Sequence, residues 1–216
     1  MKINWAIILP LLLIPLAYAI YLYPQLPNTI PTHFGISGKP DAWGKKSSIF
    51  AAPLILAMVN LFILVVIANL DKIDPKANQA NNFLDSSVKL MYLLTGFLSL
   101  LSFLIVYSSS HQDFPIDRLL IPTIGLFFFL MGRMFINLKP NYFIGVRLPW
   151  TLSSDDNWKK THEFSSKYWQ AGGIGVIIAG LILPNPWNFI SFLGIIAIIV
   201  IIPCIYSFKY YKNNPD

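Results

Sequence analysis

Six long apolar stretches constrain the fold of this chain more than any other feature of its sequence. A helix needs about 20 residues to cross the roughly 30 Å hydrocarbon core of a bilayer. Stretches near that length recur at residues 5–23, 50–70, 90–107, 119–136 and 189–208, and a shorter one at 171–183 belongs to a helix that is expected to begin earlier, in the loop before it. Backbone groups in lipid must be hydrogen-bonded within the segment, so each stretch is predicted to be helical. The sequence therefore predicts an all-α, polytopic membrane helical bundle of about six transmembrane helices.

The basic residues are divided unevenly between the two faces that six spans create. Four lie on the face of the loop at 24–49, namely Lys39, Lys45, Lys46 and Arg118. The face of the termini and of the loops at 71–89 and 137–170 holds Lys2, Lys72, Lys76, Lys89, Arg133, Lys139, Arg147, Lys159, Lys160, Lys167, Lys209 and Lys212. Because basic residues collect on the cytoplasmic side, both termini are predicted to be cytoplasmic and the loop at 24–49 to face outward. The net charge of +6 then needs no nucleic-acid partner.

The first apolar stretch also fits a secretory signal peptide. Lys2 precedes it, and Ala17-Tyr18-Ala19 resembles a cleavage site. The stretch continues to Tyr23, however, which favours a retained helix with interfacial tyrosines. In both cases the loop that follows it faces outward.

The sequence falls into three expected regions: 1–70 with two spans and the outer loop, 71–118 with a connector and the third span, and 119–216 with three spans. The outer loop is rich in proline and glycine and is expected to be a compact set of turns without helices or strands. In the inner loop, Ser153 is the expected cap of a helix that runs into the fifth span.

The fifth stretch carries small residues at intervals of four. Ala171, Gly175 and Ala179 would let another helix approach closely. Packing within the bundle is favoured over dimerisation. In the part of the same helix that precedes the span, Trp158, His162, Ser165 and Trp169 are expected to share one face.

No catalytic constellation stands out, so the chain is expected to be no enzyme and to hold no cofactor. The sequence has no G-x-S-x-G motif and no Cys/His pair that would suggest a nucleophile. Metal sites need several ligands on one face. His33 and His111, joined by Asp41, Asp113 or Asp117, leave an outer metal site open, although no H-x-x-x-H spacing supports it. The expectation is that no metal binds.

A small transporter or flippase is the alternative to a binding protein. Proton-coupled carriers keep acidic residues or histidines inside their spans. Here the spans contain one charged residue, Arg133, near a cytoplasmic end. The transport hypothesis predicts a polar cavity at mid-membrane depth, lined by Asn60, Ser99 and Ser102. Asn60 is otherwise expected to form an interhelical hydrogen bond.

Two loop motifs resemble those of a known family. The outer loop carries I-P-x-H-F-x-x-x-G-x-x-D-x-W, a hallmark similar to that of a bacterial membrane domain of unknown function, through Ile30, Pro31, His33, Phe34, Gly38, Asp41 and Trp43. The inner loop carries a longer motif through Asn141, Gly145, Arg147, Pro149, Trp150, Thr151, Leu152, Ser153, Trp158, Lys160, Thr161 and His162. Together the motifs resemble the SdpI family of immunity proteins.

The resemblance implies a multi-span protein of the bacterial plasma membrane that protects its own cell from a secreted, membrane-active peptide toxin. It also implies signalling in some relatives, which hold a winged-helix repressor at the membrane. The expected partners are thus the lipid bilayer, a toxin outside and a repressor inside. His33, Phe34, Asp41 and Trp43 are the candidate outer residues for recognition or loop structure; a structural role for Asp41 would be to pair with a nearby lysine or cap a turn.

Overall fold

The computed structural model describes residues 3–74, 83–111 and 114–214. Lys2, Lys76 and Asp113, which entered the arguments above, lie outside this range. The helices in the described residues are α1 (Trp5–Leu22), α2 (Ala51–Ala68), α3 (Leu70–Ile73), α4 (Phe83–Ser110), α5 (Asp117–Phe135), α6 (Pro149–Ser153), α7 (Asp155–Ile182) and α8 (Trp187–Asn213). The strands are β1 (Thr29–Phe34) and β2 (Pro40–Lys45).

Five of these helices are long and apolar enough to cross a membrane: α1, α2, α4, α5 and α8. The sixth predicted span lies in α7, which begins well before its apolar half, as expected. Contacts along α7 show that it runs antiparallel to the whole of α5. Trp158 of α7 reaches Leu138 just beyond one end of α5, and Asn185, after α7, reaches Asp117 at the other end. α7 therefore crosses wherever α5 does, and the predicted membrane bundle is confirmed.

The long helices pack in two groups. α5, α7 and α8 form one group, α1, α2 and α4 form the other, and α4 also contacts α5. A hydrophobic cluster at one end joins the groups and includes Ile8, Met91, Phe135 and Trp158. A second cluster at the opposite end packs Ile30 of β1 beneath the ends of α1 and α4. The two loop motifs consequently lie at opposite ends of the bundle.

Glycine packing holds α5 against α7. A Cβ added at Gly173 would lie 2.5 Å from the backbone nitrogen of Phe129, and one added at Gly125 would lie 2.8 Å from the carbonyl oxygen of Gly173. A Cβ added at Gly180 would lie 2.7 Å from Cδ of Pro122. Gly173 and Gly180 thus allow close contact inside the bundle, whereas Ala171 of the predicted series is exposed.

The outer loop is a two-stranded antiparallel hairpin, so the expectation of turns without strands was wrong. Ile30 pairs with Gly44 and Pro31 with Trp43, and the register shifts between Pro31 and Phe34. Proline is excluded from central strands because it donates no hydrogen bond, but it is tolerated on edge strands. A two-stranded sheet consists only of edges. The prolines of this loop therefore do not prevent strand formation.

Candidate functional site

The outer hairpin presents a histidine–aspartate pair to solvent. His33 Nδ1 lies 2.5 Å from Asp41 Oδ1, and the two side chains are 69% and 51% exposed. Asp41 was expected to pair with a lysine or cap a turn; the structure gives it His33 instead. In the strand register His33 pairs with Ala42 and Phe34 with Pro40, with a register shift between His33 and Phe34, so the His33–Asp41 pair bridges the strands at an irregular part of the hairpin.

Hydrophobic groups are exposed on the same hairpin. Trp43 is 53% exposed and Ile36, at the turn, is 59% exposed, whereas Phe34 is half-buried. Exposed aromatic and aliphatic side chains beside polar groups are the composition of a protein- or membrane-contacting surface. Lys39 and Lys45 are exposed on the same hairpin. The hairpin therefore offers a mixed apolar and cationic surface.

The tip of the hairpin docks onto the C-terminal helices. Asn185 Nδ2 donates to the carbonyl oxygen of Ser37 at 2.9 Å and to Asp117 Oδ2 at 3.0 Å. Asn188 Nδ2 donates to the same carboxylate oxygen at 2.7 Å. Gly38 has φ +70°, and a Cβ there would lie 2.5 Å from Asp117 Oδ1. Gly38 is thus required by both backbone conformation and close approach.

Sequence reasoning did not identify Asn185 and Asn188 and considered Asp117 only as a metal ligand. Little in the sequence marks these residues as a site: Asp117 is a carboxylate at the start of a span, and the two asparagines lie in a tight turn. Contacts between them join segments about 70 residues apart, and local spacing carries no information about such pairs.

At the opposite end, Asn141 builds the turn that opens the inner loop. Its Oδ1 accepts hydrogen bonds from the backbone nitrogens of Phe143 and Ile144, at 2.8 and 2.6 Å. Its Nδ2 donates to the carbonyl oxygens of Lys139 and Ile144. The side chain is fully buried. All of these bonds remain inside the loop, so Asn141 acts as a structural residue.

His162 is buried against the same loop in a fixed tautomer. The backbone N–H of Val146 donates to Nε2 at 2.9 Å, so Nδ1 must carry the proton that is shared with the Trp158 carbonyl at 2.8 Å. Burial lowers the pKa of His162 from 6.5 to about 4, although the bond to the Trp158 carbonyl acts in the opposite direction. The imidazole is therefore neutral at physiological pH.

Gly145 is the residue that lets His162 approach the loop. Its φ is +109°, and a Cβ there would lie 2.2 Å from His162 Nε2. Trp158 stacks on the other side of the imidazole, with ring centroids 4.1 Å apart, and its indole N–H donates to the carbonyl of Leu138 at 2.8 Å. The motif residues at 145, 158 and 162 therefore form one packed unit.

The short helix α6 is capped by Thr151, whose Oγ1 accepts from the backbone N–H of Leu148 at 2.8 Å. The hydroxyl of Ser153 bonds back to the carbonyl of Trp150. Ser154, not Ser153 as predicted, caps α7, since its hydroxyl accepts from the Asn157 N–H. The prediction failed by one residue because Pro149 starts a separate helical turn that ends at Ser153.

A buried polar network ties α6 and α7 to α8. Trp150 Nε1 donates to Ser207 Oγ at 2.9 Å, and Ser207 Oγ donates to Asn157 Oδ1 at the same distance. Thr161 Oγ1 donates to this Asn157 oxygen as well. Asp74 is a further buried residue that sequence reasoning missed; its carboxylate accepts from the Tyr142 N–H at 2.9 Å. The inner loop is thus held in place by α7, by α8 and by Asp74, which follows α3.

Four inner motif residues remain at the surface: Arg147, Pro149, Ser153 and Lys160 are exposed. The Arg147 guanidinium donates one hydrogen bond to the Tyr142 carbonyl, which leaves most of its five donors free for another molecule. The inner site is therefore a rigid, buried frame that presents a small basic surface.

Within the described residues no three His, Cys, Asp or Glu side chains come together as metal ligands. His33 contacts Asp41, whereas His111 stacks on Tyr107 with centroids 4.1 Å apart.

The expected interhelical bond of Asn60 is present, because Thr95 Oγ1 donates to its Oδ1 at 3.0 Å. A cleft beside Asn60 is lined by Ser99 and Ser102 among others. The hydroxyl of Ser99 donates to the carbonyl of Leu11 and so joins α4 to α1.

Comparison with known proteins gives matches to both ends of the chain. Residues 137–207 match the SdpI/YfhL protein family, and residues 11–57 match a domain of unknown function, DUF1648. Immunity protein SdpI of Bacillus subtilis (strain 168) is 28% identical over 197 residues, which cover 90% of this chain and 89% of that protein. An uncharacterized protein of Archaeoglobus fulgidus is 37% identical over 49 residues, 23% of this chain and 27% of its own. No solved structure matches.

Proposed function

Since this chain belongs to the SdpI/YfhL protein family, we propose that it is a membrane immunity and signalling protein of the bacterial plasma membrane, and not an enzyme. It protects the producing cell from a secreted, membrane-active peptide toxin. The observation that carries this proposal is the similarity to Immunity protein SdpI over 90% of the chain. Any stretch that covers 90% of the chain contains residues 30–162, and therefore both loop motifs.

The outer hairpin is the proposed contact surface for the toxin. It combines the exposed Trp43 and Ile36 with exposed lysines, and a membrane-active peptide has both apolar and polar faces to match. The His33–Asp41 pair and the docked tip at Gly38 hold this surface in place.

The inner loop is the proposed contact surface for a winged-helix repressor. Arg147 and Lys160 are exposed there, and a cationic surface suits an acidic patch on a soluble partner. The buried frame around His162 would keep these groups in position. Signalling would then require that events at the hairpin reach this loop along α5 and α7.

The experiment that tests the proposal is survival of toxin-exposed bacteria that express the chain. Intact protein should protect against at least one toxin of a panel of secreted, membrane-active peptides. Trp43→Ala should lose protection at matched membrane levels, because this side chain is exposed and its removal leaves the fold intact. Lys72→Ala, an exposed change at the opposite end of the bundle, is the matched control and should protect fully. Absence of protection by well-expressed intact protein against the whole panel would contradict the proposal.

Transport or flipping of a small solute is the second candidate function, favoured by one observation. The cleft beside Asn60, Ser99 and Ser102 has the polar lining that this hypothesis predicts. Its volume is only about 10 Å³, which is room for about one water molecule and far below the roughly 300–1,000 Å³ of sites that enclose a small molecule. Uptake of labelled solutes or lipids into vesicles that contain the purified protein would separate this function from immunity.

A further inference from the structure

The second strand of the outer hairpin has an open edge. β1 packs against α4 and against the 3-10 turn at Lys46–Phe50, whereas β2 packs mainly against β1. Within the residues that the structure describes, the sheet ends at β2. The exposed residues of this strand are Asp41, Ala42, Trp43 and Lys45. The far edge of β2 is therefore accessible to another molecule.

The pairing with β1 shows which backbone groups of β2 point to this edge. Opposed residues in an antiparallel pair alternate between those that exchange hydrogen bonds and those whose N–H and C=O groups point away from the partner strand. Trp43 lies opposite Pro31, which has no N–H and cannot exchange bonds. Lys45, two residues further, lies opposite Thr29 and has the same orientation. The backbone groups of Trp43 and Lys45 therefore point to the open edge.

A hydrogen bond at the base of the hairpin supports this orientation. The Lys46 N–H donates to the Asn28 carbonyl at 2.9 Å, which is the bond expected one position beyond a pair whose groups point outward. Toward the tip, the register shifts and Pro40 has no N–H to offer. The regular part of the open edge is therefore the segment at residues 43–45.

The charge of the hairpin selects among possible partners for this edge. Open strand edges bind other extended chains through the backbone. The hairpin carries Lys39, Lys45 and Lys46, and its one carboxylate, Asp41, already contacts His33. Two such hairpins would repel each other, so a second copy of this chain is disfavoured. An extended chain with carboxylates is attracted instead.

We propose that an extended acidic peptide binds to the hairpin as a third strand along the open edge of β2. Its backbone would exchange hydrogen bonds with Trp43 and Lys45. These two side chains share one exposed face of the strand, so the peptide would place an apolar and an acidic side chain beside them at alternate positions. The identification of this peptide with a segment of the toxin rests on the proposed function.

Hydrogen exchange tests the open edge before any peptide is added. The protein is studied intact in nanodiscs of phosphatidylethanolamine and phosphatidylglycerol. Relative to an unfolded chain, the amides of Trp43 and Lys45 should exchange at least about 10-fold faster than those of Gly44 and Lys46, which bond within the hairpin. Equal protection of the four amides would overturn the proposal.

A designed peptide then tests whether a strand adds to this edge. Every second residue of this capped eight-residue peptide is threonine, and the others are alternately glutamate and valine. Two twins are N-methylated, one at the threonines and one at the glutamates and valines. Because a strand bonds to its neighbour through alternate residues, one twin should bind like the parent and the other at least about 10-fold more weakly. Equal affinities of the twins would show attraction by charge alone and would overturn the proposal.

A pair of variants at one position locates the binding edge. Lys45→Pro removes the outward N–H, and the native φ of −60° at this residue already suits proline. Lys45→Ala, the matched control, removes the same charge and keeps the N–H. Lys45→Pro should bind the parent peptide about 3- to 10-fold more weakly than Lys45→Ala, as one hydrogen bond provides. Slow exchange at the Lys46 amide checks that the hairpin remains folded, and equal affinities of the two folded variants would contradict the proposal.

A survival assay with the same pair separates this inference from the immunity function. If intact protein protects cells and Lys45→Pro protects less than Lys45→Ala, both are supported. If the two variants protect equally, the toxin does not bind as a third strand, and this inference fails while the immunity function stands. If intact protein does not protect but peptide binding depends on the Lys45 N–H, the immunity function fails and the strand-binding edge stands.

Discussion

Gly145 is the single residue whose replacement has the clearest expected effect. It adopts φ +109°, and an added Cβ would lie 2.2 Å from His162 Nε2. Gly145→Ala should therefore break the hydrogen bond from Val146 to His162 and strain the backbone, which lowers the free energy of unfolding by at least about 2 kcal/mol. Thermal unfolding in detergent measures this loss.

The control for this substitution is Gly96→Ala in α4. A Cβ at Gly96 meets no heavy atom within 4 Å, and alanine favours a helix over glycine. Its unfolding temperature should be unchanged or higher. If Gly145→Ala proved as stable as intact protein, the close contact between the loop and His162 would be wrong.

His162 should make the stability of the protein depend on pH. Its folded pKa of about 4 lies below the 6.5 of the unfolded chain, so the unfolded state binds more protons between these values. The stabilisation is complete above about pH 6.5 and decreases by up to about 3 kcal/mol as the pH falls through about 4. Unfolding temperatures of intact protein and His162→Gln, measured over this range, should converge as the pH falls. A His162→Gln profile of the same slope as intact protein would contradict the assignment.

The contact between α5 and α7 depends on the absence of a side chain at Gly173. A Cβ there would lie 2.5 Å from the Phe129 nitrogen and 2.6 Å from the Gly125 carbonyl oxygen, and neither backbone atom can move aside without its helix. Gly173→Ala should lower the free energy of unfolding by about 1–3 kcal/mol. Gly175→Ala, two residues away in the same helix, would place its Cβ 3.4 Å from a flexible isoleucine and should have little effect. Similar losses in the two variants would argue against this packing.

The long helices could be predicted from sequence because an apolar run of sufficient length forms a helix in lipid, where its backbone groups must bond within the segment. The hairpin could not, because prolines and glycines at its strand positions are also the residues of turns. The motif residues of the inner loop were identified, but their arrangement was not. Asn141, Thr151 and His162 are buried and bond within the loop and the start of α7. The contacts of Tyr142 with Asp74 and of Asn157 with Ser207 join residues 50 or more positions apart in sequence. Helix packing decides such pairs, and one sequence does not reveal it.

At the scale of the whole molecule, the docked hairpin tip joins the N-terminal region to the C-terminal helices at the outer end. Asp117→Ala should remove the acceptor for Asn185 and Asn188 and release the tip. Hydrogen exchange at the backbone amides of Gly35 and Gly38 should then accelerate by about 10-fold, since one or two hydrogen bonds hold the tip. Exchange along α5 and α7 should remain slow. Asp155→Ala, an exposed carboxylate at the opposite end, should leave the tip unchanged. Unaltered exchange in Asp117→Ala would show that the tip is held by other contacts.

The bond from Ser99 to the Leu11 carbonyl also has a consequence for how the protein is made. α1 leaves the ribosome and enters the bilayer long before α4 has been synthesised. The Leu11 carbonyl has no helical donor, because Pro15 has no N–H, and it lacks the Ser99 hydroxyl in the meantime. That carbonyl is satisfied only when α4 arrives beside it. The first helix therefore reaches its final state late in biogenesis, and a nascent chain that stops before α4 would display an unfinished helix to the insertion and quality-control machinery.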